Sequence, residues 1–384
     1  MTVSPLPSPI LIADASGLIA LAHELAQEPA IGVDTESNSL FAYRERVCLI
    51  QFSTQERDYI VDPLVLSDLN VLAPLFANPR QQKVFHAAEY DLLGLKRDYR
   101  FECANLFDTM IAAGTMGWRQ MGLAAILEAH FGVTLDKRYQ RTNWGRRPLT
   151  ADQLNYAQRD THYLLPLRNL LQAELSARGR VEEAYEAFTL LGRSTGDSKP
   201  MANDRFWRIN GARDLTPTQA GVLRQVYSYR EQQADHTDRP PFKVMSEQAL
   251  LEIARNCPQH LAELKEITGM TPGQIRRHGG ELLRAVQRGL SAPAPPPPQF
   301  ARAPDEVRGR YDRLHEWRKQ IAQARGVRSD FILPREALWE LARHVPRTLA
   351  ELDTIEHLGP WRRQAYGPDV LKVLTESGPP SNPA

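Results

Sequence analysis

Apolar positions along the chain change period several times. In SGLIALAHELAQE they recur at helical spacing, and the next run, AIGVDTE, is short and strand-like. RVCLIQFST and RDYIVDP follow, rich in Val, Ile, Tyr and Cys; the turn TQERD between them predicts two antiparallel strands. SDLNVLAPLFAN then reads as a helix, KVFHAA as a strand and EYDLLGLKRDY as a short helix. From LFDTMIAAGTM onward the pattern is helical. This order predicts a mixed sheet flanked by helices, an α/β layer arrangement with its own core.

A polar stretch, LGRSTGDSKPMANDRF, ends that segment, so residues 1–195 are read as one domain. Residues 205–290 form a first helical block. SAPAPPPPQFARAP then places five prolines within residues 291–300, and a stiff, extended linker is expected over 291–305. A second helical block covers 306–376, and SGPPSNPA at 377–384 has the composition of a disordered tail. The two blocks resemble each other. Each has a helix (ALLEIAR or ALWELAR), a Pro, a short LAEL helix, a Gly, and a last helix expected to be entered at a second Gly. Two copies of one small all-α domain follow from that repeat.

At 384 residues, 42% apolar and 24% charged, the chain has the make-up of a soluble protein of two or three domains. Cys48, Cys103 and Cys257 lie far apart with no Cys-x-x-Cys, against a disulfide framework and against structural zinc. No basic leader precedes an apolar run, and no stretch of about 18 apolar residues occurs, so neither export nor a membrane span is expected and the cytoplasm is the default. The net charge of +1 hides an asymmetry: residues 1–190 carry 18 Lys+Arg against 23 Asp+Glu, and the remainder 29 against 23. An acidic front and a basic rear suit an enzyme that delivers a polyanion to a carboxylate-lined site, although a merely Arg-rich composition has the same signature.

Candidate chemistry sits on three elements. Asp34 and Glu36 are i and i+2 on a strand, so both leave the same face, and two like charges so close call for a cation or strong solvation. FHAAEYDLLGL delivers a strand to a helix whose first turns carry Glu89 and Asp91; a helix-start role competes with a ligand role, and the residues alone do not separate the two acids. In LTADQLNYAQRDTHYLLPL, Thr150 and Gln153 resemble a capping box, while Tyr156 and Asp160 stack at i and i+4. Oxygen ligands without His or Cys favour Mg²⁺ or Mn²⁺ over zinc. Two such ions about 4 Å apart suit in-line phosphoryl displacement.

These motifs, in this order, resemble the bacterial ribonuclease D family, tyrosine-subclass members of the DEDD 3′→5′ exonuclease superfamily with a ribonuclease H-like fold. VDTES matches the D-x-E motif, HAAEYDLLGL the second and YAQRD the third. The resemblance identifies Asp91 rather than Glu89 as the ligand, and likens the helical repeats to HRDC domains. It implies one divalent ion on Asp34, Glu36 and Asp160 and a second on Asp34 and Asp91, with Tyr156 orienting the attacking water. The implied reaction releases 5′-nucleoside monophosphates from single-stranded RNA 3′ ends, tRNA precursors among them, by a protein acting as a monomer without ATP. The family often has an aromatic residue before the second Gly; Tyr366-Gly367 keeps it, whereas the first repeat has His278-Gly279.

Further substrate contacts are expected at Lys137, Arg138, Arg141 and Arg146, in a basic run that includes Arg147, with Trp144 either stacking on a base or packing in the core. Phe41 and Tyr43 are candidates to wedge against the terminal base. His86, which ends the strand beside the site, is a candidate substrate contact, with a structural hydrogen bond favoured over metal ligation. Arg276 and Arg277, read as loop-exposed, and Arg362 and Arg363 beside Trp361 are candidates for backbone contact, with solvated surface arginines as the competing reading. The same chemistry on DNA, and an inactive nucleic-acid-binding scaffold, are the alternatives. A substrate panel separates the first, and metal-dependent release of mononucleotides the second. No Gly-x-x-x-x-Gly-Lys loop is present to support a helicase.

Overall fold

The computed structural model describes residues 6–194, 205–293, 295–296 and 303–376. The expected tail at 377–384, the polar joint at 195–204 and much of the expected linker lie outside the described residues. Six strands form one sheet: β1 (Ile10–Ile12), β2 (Ala30–Ser37), β3 (Val47–Ser53), β4 (Asp58–Val61), β5 (Gln82–Phe85) and β6 (Leu106–Asp108), in the order β1-β4-β3-β2-β5-β6. β3 and β4 are antiparallel, as their turn predicts, while β1–β4, β2–β5 and β5–β6 are parallel. Every residue of β3, β4 and β5 is buried, because both faces of the sheet are covered.

The helices of this domain are α1 (Ala15–Leu25), α2 (Ala73–Ala77), α3 (Glu89–Tyr99), α4 (Thr109–Thr115), α5 (Leu123–Phe131), α6 (Ala151–His162), α7 (Leu164–Ala177) and α8 (Val181–Ser194). They close one core around Ile31, Val33, Phe52, Phe85, Phe107 and Leu171. Two strands were not anticipated. β1 and β6 have three residues each, too few for a period of two to show, and LFD is a strand although its sequence reads as a helix start. The helix expected over SDLNVLAPLFAN shrinks to a 3₁₀ turn at Asn70–Leu72 and the short α2.

The first repeat comprises α9 (Pro217–His236), α10 (Pro241–Val244), α11 (Glu247–Asn256) and α12 (Pro272–Ser291). The second comprises α13 (Asp305–Arg325), α14 (Ser329–Ile332), α15 (Arg335–His344) and α16 (Pro360–Thr375). Their correspondence extends to backbone detail: α11 and α15 end on left-handed residues, Cys257 (φ 46°) and Val345 (φ 47°). The last helix starts at Pro272 or Pro360 rather than at the second Gly, which lies inside it. A Cβ on Gly279 would come within 2.6 Å of Leu261 and one on Gly367 within 2.7 Å of Leu349, so glycine is kept there for close approach.

The chain divides into two compact units that do not follow chain order. Among the described residues one holds 6–36, 47–194 and 303–376, so the second repeat packs on the α/β domain. The other holds 37–46, 205–293 and 295–296, that is, the first repeat with the loop after β2. In the first unit, the Arg362 Nη1 is 2.7 Å from Glu186 Oε1 on α8, and the carboxylate also accepts from the Trp361 N–H (2.6 Å), serving as an N-terminal cap for α16. Gly359 leaves room for it; a Cβ there would collide with the Glu186 side chain. Arg325 makes a bidentate pair with Glu183 (2.9 and 2.6 Å), and the Phe331 ring fills the space beside Gly114.

Candidate active site

Two close approaches bring the acidic residues together. β2 lies inside the sheet between β3 and β5, and a Cβ on its Gly32 would come within 3.0 Å of the Thr161 carbonyl of α6. Glycine therefore lets α6 lie against the strand that carries Asp34 and Glu36. The rotation of α6 is then set by buried polar contacts with β3 and β4. Gln158 Nε2 donates to Asp58 (2.6 Å), His162 Nδ1 lies 2.9 Å from the same carboxylate, and the Ser53 hydroxyl, which donates to Asp58 (2.6 Å), is 2.7 Å from Thr161 Oγ1. Burial would raise Asp58, but hydrogen bonds from His162, Gln158 and Ser53 hold its carboxyl below its ordinary value. A Thr150–Gln153 capping box starts α6, as its sequence predicts.

Asp91 arrives from the other side. Asp108 is buried and accepts from the N–H of Ala88 (2.7 Å), Met110 (2.8 Å) and Ile111 (2.9 Å), which ties the turn before α3 to the start of α4. Asp91, in the first turn of α3, accepts from the Thr35 N–H (3.0 Å) and hydroxyl (2.5 Å). Thr35 stands between Asp34 and Glu36, so one residue couples the strand pair to the helix acid. Glu89 is exposed.

Ligand oxygens of Asp34, Glu36 and Asp160 all lie within 4.8 Å of one another. They line, with His86, Asp91 and Tyr156, a cleft of about 540 Å³. Burial is the first cause that raises Asp34 and Glu36 well above their ordinary values; for Asp34 the charges of Asp91, Asp160 and Glu36 add to it, and for Glu36 those of Asp160 and Asp91. Burial likewise lifts Asp91 and Asp160 to about 7, against the lowering effect of hydrogen bonds from Thr35 and Tyr156 respectively. Among the described residues none of the four has a Lys or Arg partner. Buried like charges with an all-oxygen donor set and no Lys or Arg ion-pair partner among the described residues fit a divalent cation of the Mg²⁺ or Mn²⁺ type.

The Tyr156 phenol, hydrogen-bonded to Asp160, is pushed above its ordinary value by burial and then by Asp160, Glu36 and Asp34. A phenol raised in this way keeps its proton, which it donates to Asp160. Burial pushes His86 down to about 4, so its ring is neutral. Thr109 donates to the Phe85 carbonyl (3.0 Å), so His86 Nδ1, 2.9 Å away, is the donor to Thr109. That is the structural role expected of it.

The remaining expected contacts separate. Lys137, Arg138, Arg141 and Arg146 are exposed; Lys137 lines the cleft, and Arg138 pairs with Asp136 (2.6 Å). Trp144 is only 1% exposed and packs in a small cluster behind Tyr156, so burial excludes it as a base platform. Arg147 clamps that loop, donating to both Asp62 oxygens (2.5 and 2.7 Å) and to the Trp144 carbonyl. Phe41 and Tyr43 fall in the other unit, where Lys243 lies 4.1 Å from the Phe41 ring and the Tyr43 N–H donates to Asp238 (3.0 Å). Arg276 and Arg277 are exposed on α12 rather than in a loop. Arg362, 3% exposed and paired with Glu186, is a packing residue, which corrects its expected place at a surface; Arg363 pairs with Asp353. Thr35, Asp108, Gly32 and Asp58 were missed, since none is a ligand. The visible hints were Thr35 within the D-T-E triplet and Asp108 just before a helix.

Comparison with known proteins agrees with this architecture. A sequence family described as 3′-5′ exonuclease matches residues 9–176, and HRDC domains match residues 219–286 and 307–374. Ribonuclease D of Acidiphilium cryptum is 28% identical over 374 residues, 96% of this chain and 93% of that protein. The exosome complex component 10 homolog of Caenorhabditis elegans is 31% identical over 274 residues, 70% of this chain but only 31% of that much longer protein. The crystal structure of Escherichia coli RNase D, an exoribonuclease involved in structured RNA processing, superposes with a TM-score of 0.72 at 27% identity, covering 96% of this chain and 99% of that one. The ordered carboxylate motifs, the mixed sheet and the paired HRDC repeats make this chain a member of the ribonuclease D family of DEDD-superfamily exonucleases.

Proposed function

We propose that the protein is a metal-dependent 3′→5′ exoribonuclease that removes 5′-nucleoside monophosphates from single-stranded RNA ends, tRNA precursors among them. The observation that carries this reading is the convergence of Asp34, Glu36 and Asp160 within 4.8 Å, beside Asp91 and Tyr156. Asp34, Glu36 and Asp160 would hold one divalent ion, and Asp34 with Asp91 a second. Bound there, such ions supply water of lowered pKa and neutralise charge on the departing 3′ oxygen. The Tyr156 hydroxyl donates its one proton to Asp160, and its oxygen would position the attacking water by accepting a hydrogen bond from it. Thr35 keeps Asp91 aimed at the strand pair. Lys137, which lines the cleft, would meet the phosphate backbone.

Support for RNA as substrate comes from the E. coli relative, whose coverage is nearly complete on both sides. We further propose that the protein acts in the cytoplasm and as a monomer. Among the described residues, no helix is long and apolar enough to cross a membrane. The test is a time course on 5′-labelled RNA with an extended 3′ end, run with Mg²⁺, with EDTA and with Asp160→Asn, alongside DNA of the same sequence. A descending ladder from wild type with metal alone is expected, and Asp160→Asn should be slower by several powers of ten. A wild-type rate in the variant would remove the two-ion assignment, and a preference for the DNA strand would transfer the activity to the other nucleic acid.

A further inference from the structure

Aligning the two helical repeats, residue n with residue n+88, isolates a feature that their shared fold does not need. In the second repeat the Tyr311 and Trp339 rings stack with centroids 4.0 Å apart and planes 17° apart. His315, one turn further along α13, extends the stack beyond Tyr311 (6.1 Å, 22°). At the other end the Arg343 guanidinium lies 5.5 Å from the Trp339 ring centroid. His315 and Arg343 are exposed, and Tyr311 and Trp339 are half-buried. The first repeat has Leu223 and Leu251 at the positions of Tyr311 and Trp339, both inside its core, where Phe206, Trp207 and Ile209 pack with them. Two leucines thus satisfy the fold, and the Tyr311–Trp339 stack is an addition, set between His315 and Arg343 where the first repeat has Tyr227 and Arg255.

Charge has been rearranged around the column as well. In the first repeat Arg255 pairs with Glu252 (3.1 Å). The counterpart of Glu252 is Glu340, and it engages His357 instead (3.0 Å), which leaves Arg343 on the Trp339 ring. Glu247 of the first repeat is replaced by Arg335. Arg335 and Arg343 therefore flank Trp339 one turn to either side, both exposed and neither with a carboxylate partner among the described residues. Aromatic faces between unpaired guanidiniums recognise unpaired bases: any base offers a face to stack on, and each guanidinium can meet a phosphate.

We propose that the His315–Tyr311–Trp339–Arg343 column of the second repeat is a stacking site for single-stranded RNA, outside the catalytic cleft, that holds unpaired bases of a substrate whose 3′ end is being removed. The proposal rests on the exoribonuclease reading above. It is tested with full-length Asp160→Asn protein and labelled oligouridylates of about 20 and about 4 nucleotides, the longer able to span two sites and the shorter only one. Trp339→Leu restores the residue type of the first repeat, and Arg343→Gln alters an exposed side chain; thermal melts confirm that both stay folded. Each should weaken the long oligonucleotide about tenfold, a typical loss for one stacked base, and leave the short one unchanged. Arg343→Gln should also reduce the salt slope of long-strand binding by about one. Folded Trp339→Leu protein that binds the long strand like its parent overturns the site, and so does equal weakening for both lengths. Failure of wild-type protein to shorten RNA, with the length-dependent binding loss intact, would instead remove the exoribonuclease reading and leave the stacking site standing.

Discussion

At the level of single residues, the cleft stores protons. Asp91 and Asp160 have folded-state values near 7 against an ordinary 3.8, so the metal-free native state binds more protons than the unfolded chain between those values. Stability from these two groups is full below about pH 4 and is lost as pH rises through about 7. EDTA-treated protein should therefore melt at progressively lower temperature from pH 5 to pH 8, and Mg²⁺ should flatten that slope by taking the protons' place. Asp160→Asn should be less pH-dependent without metal; an unchanged slope would show that the buried carboxylates are not the source. Tyr156→Phe should fold normally and slow turnover by about 100-fold, since it removes a positioning hydroxyl and not a ligand. Wild-type turnover from that variant would end Tyr156's assigned role. Legibility at this scale followed chemistry: carboxylate pairs that share one face announce themselves in sequence. Asp91 and Glu89 did not separate on pattern, because what distinguishes them is a hydrogen bond from Thr35, fifty-six residues away.

Between elements, function depends on how closely α6 lies against β2. The capping box and the i, i+4 pair Tyr156–Asp160 mark α6 in the sequence, and the short strand-like run AIGVDTE marks β2, but nothing in either stretch states their separation. The information is in Gly32, whose missing side chain is meaningful only once Thr161 is known to lie opposite. Gly32→Ala puts a methyl 3.0 Å from the Thr161 carbonyl, and backbone on both sides must give way. We expect a stability loss of about 1–3 kcal/mol, typical of overpacking. Turnover should fall as well, by less than about 100-fold, because the contact must open by a few tenths of an ångström and that shifts Asp34 and Glu36 relative to Asp160. Chemical denaturation and single-turnover rates check the two halves separately. A stability loss with unchanged rate would mean that the strand and helix shift together and the site survives the strain. The short β1 and β6 were illegible for a simpler reason: three residues cannot display a period, and their strand character comes from the neighbours β4 and β5 that supply their hydrogen bonds.

On the scale of the whole molecule, the repeats were plain in the sequence while their different fates were not. The second repeat carries Gly359, Arg362, Phe331 and Arg325 where the first has Thr271, Gln274, Lys243 and Thr237. Thr271 and Gln274 cap their own helix, and Gln274 also reaches the Val244 carbonyl (2.9 Å). In the second repeat that cap is given up, and Glu186 of α8 takes it over while pairing with Arg362, which holds the matching Ile332 carbonyl (2.9 Å). Docking on the α/β domain is thus written as a set of departures from the repeat consensus, and Arg362 read alone looks like any surface arginine. Both partners are buried, 4% and 6% exposed in their side chains, so removing one strands the other's charge. Arg362→Ala should cost about 3–5 kcal/mol, whereas Arg362→Met with Glu186→Leu should recover most of it, because an apolar pair needs no desolvation. In a chain of several domains unfolding is stepwise, so the loss is read from the midpoint of the transition that exposes α16, followed by proteolysis within it. If the single and double variants lose the same amount, the ion pair is incidental and the dock is held by Phe331 against Gly114; Phe331→Ala should then be the more damaging change.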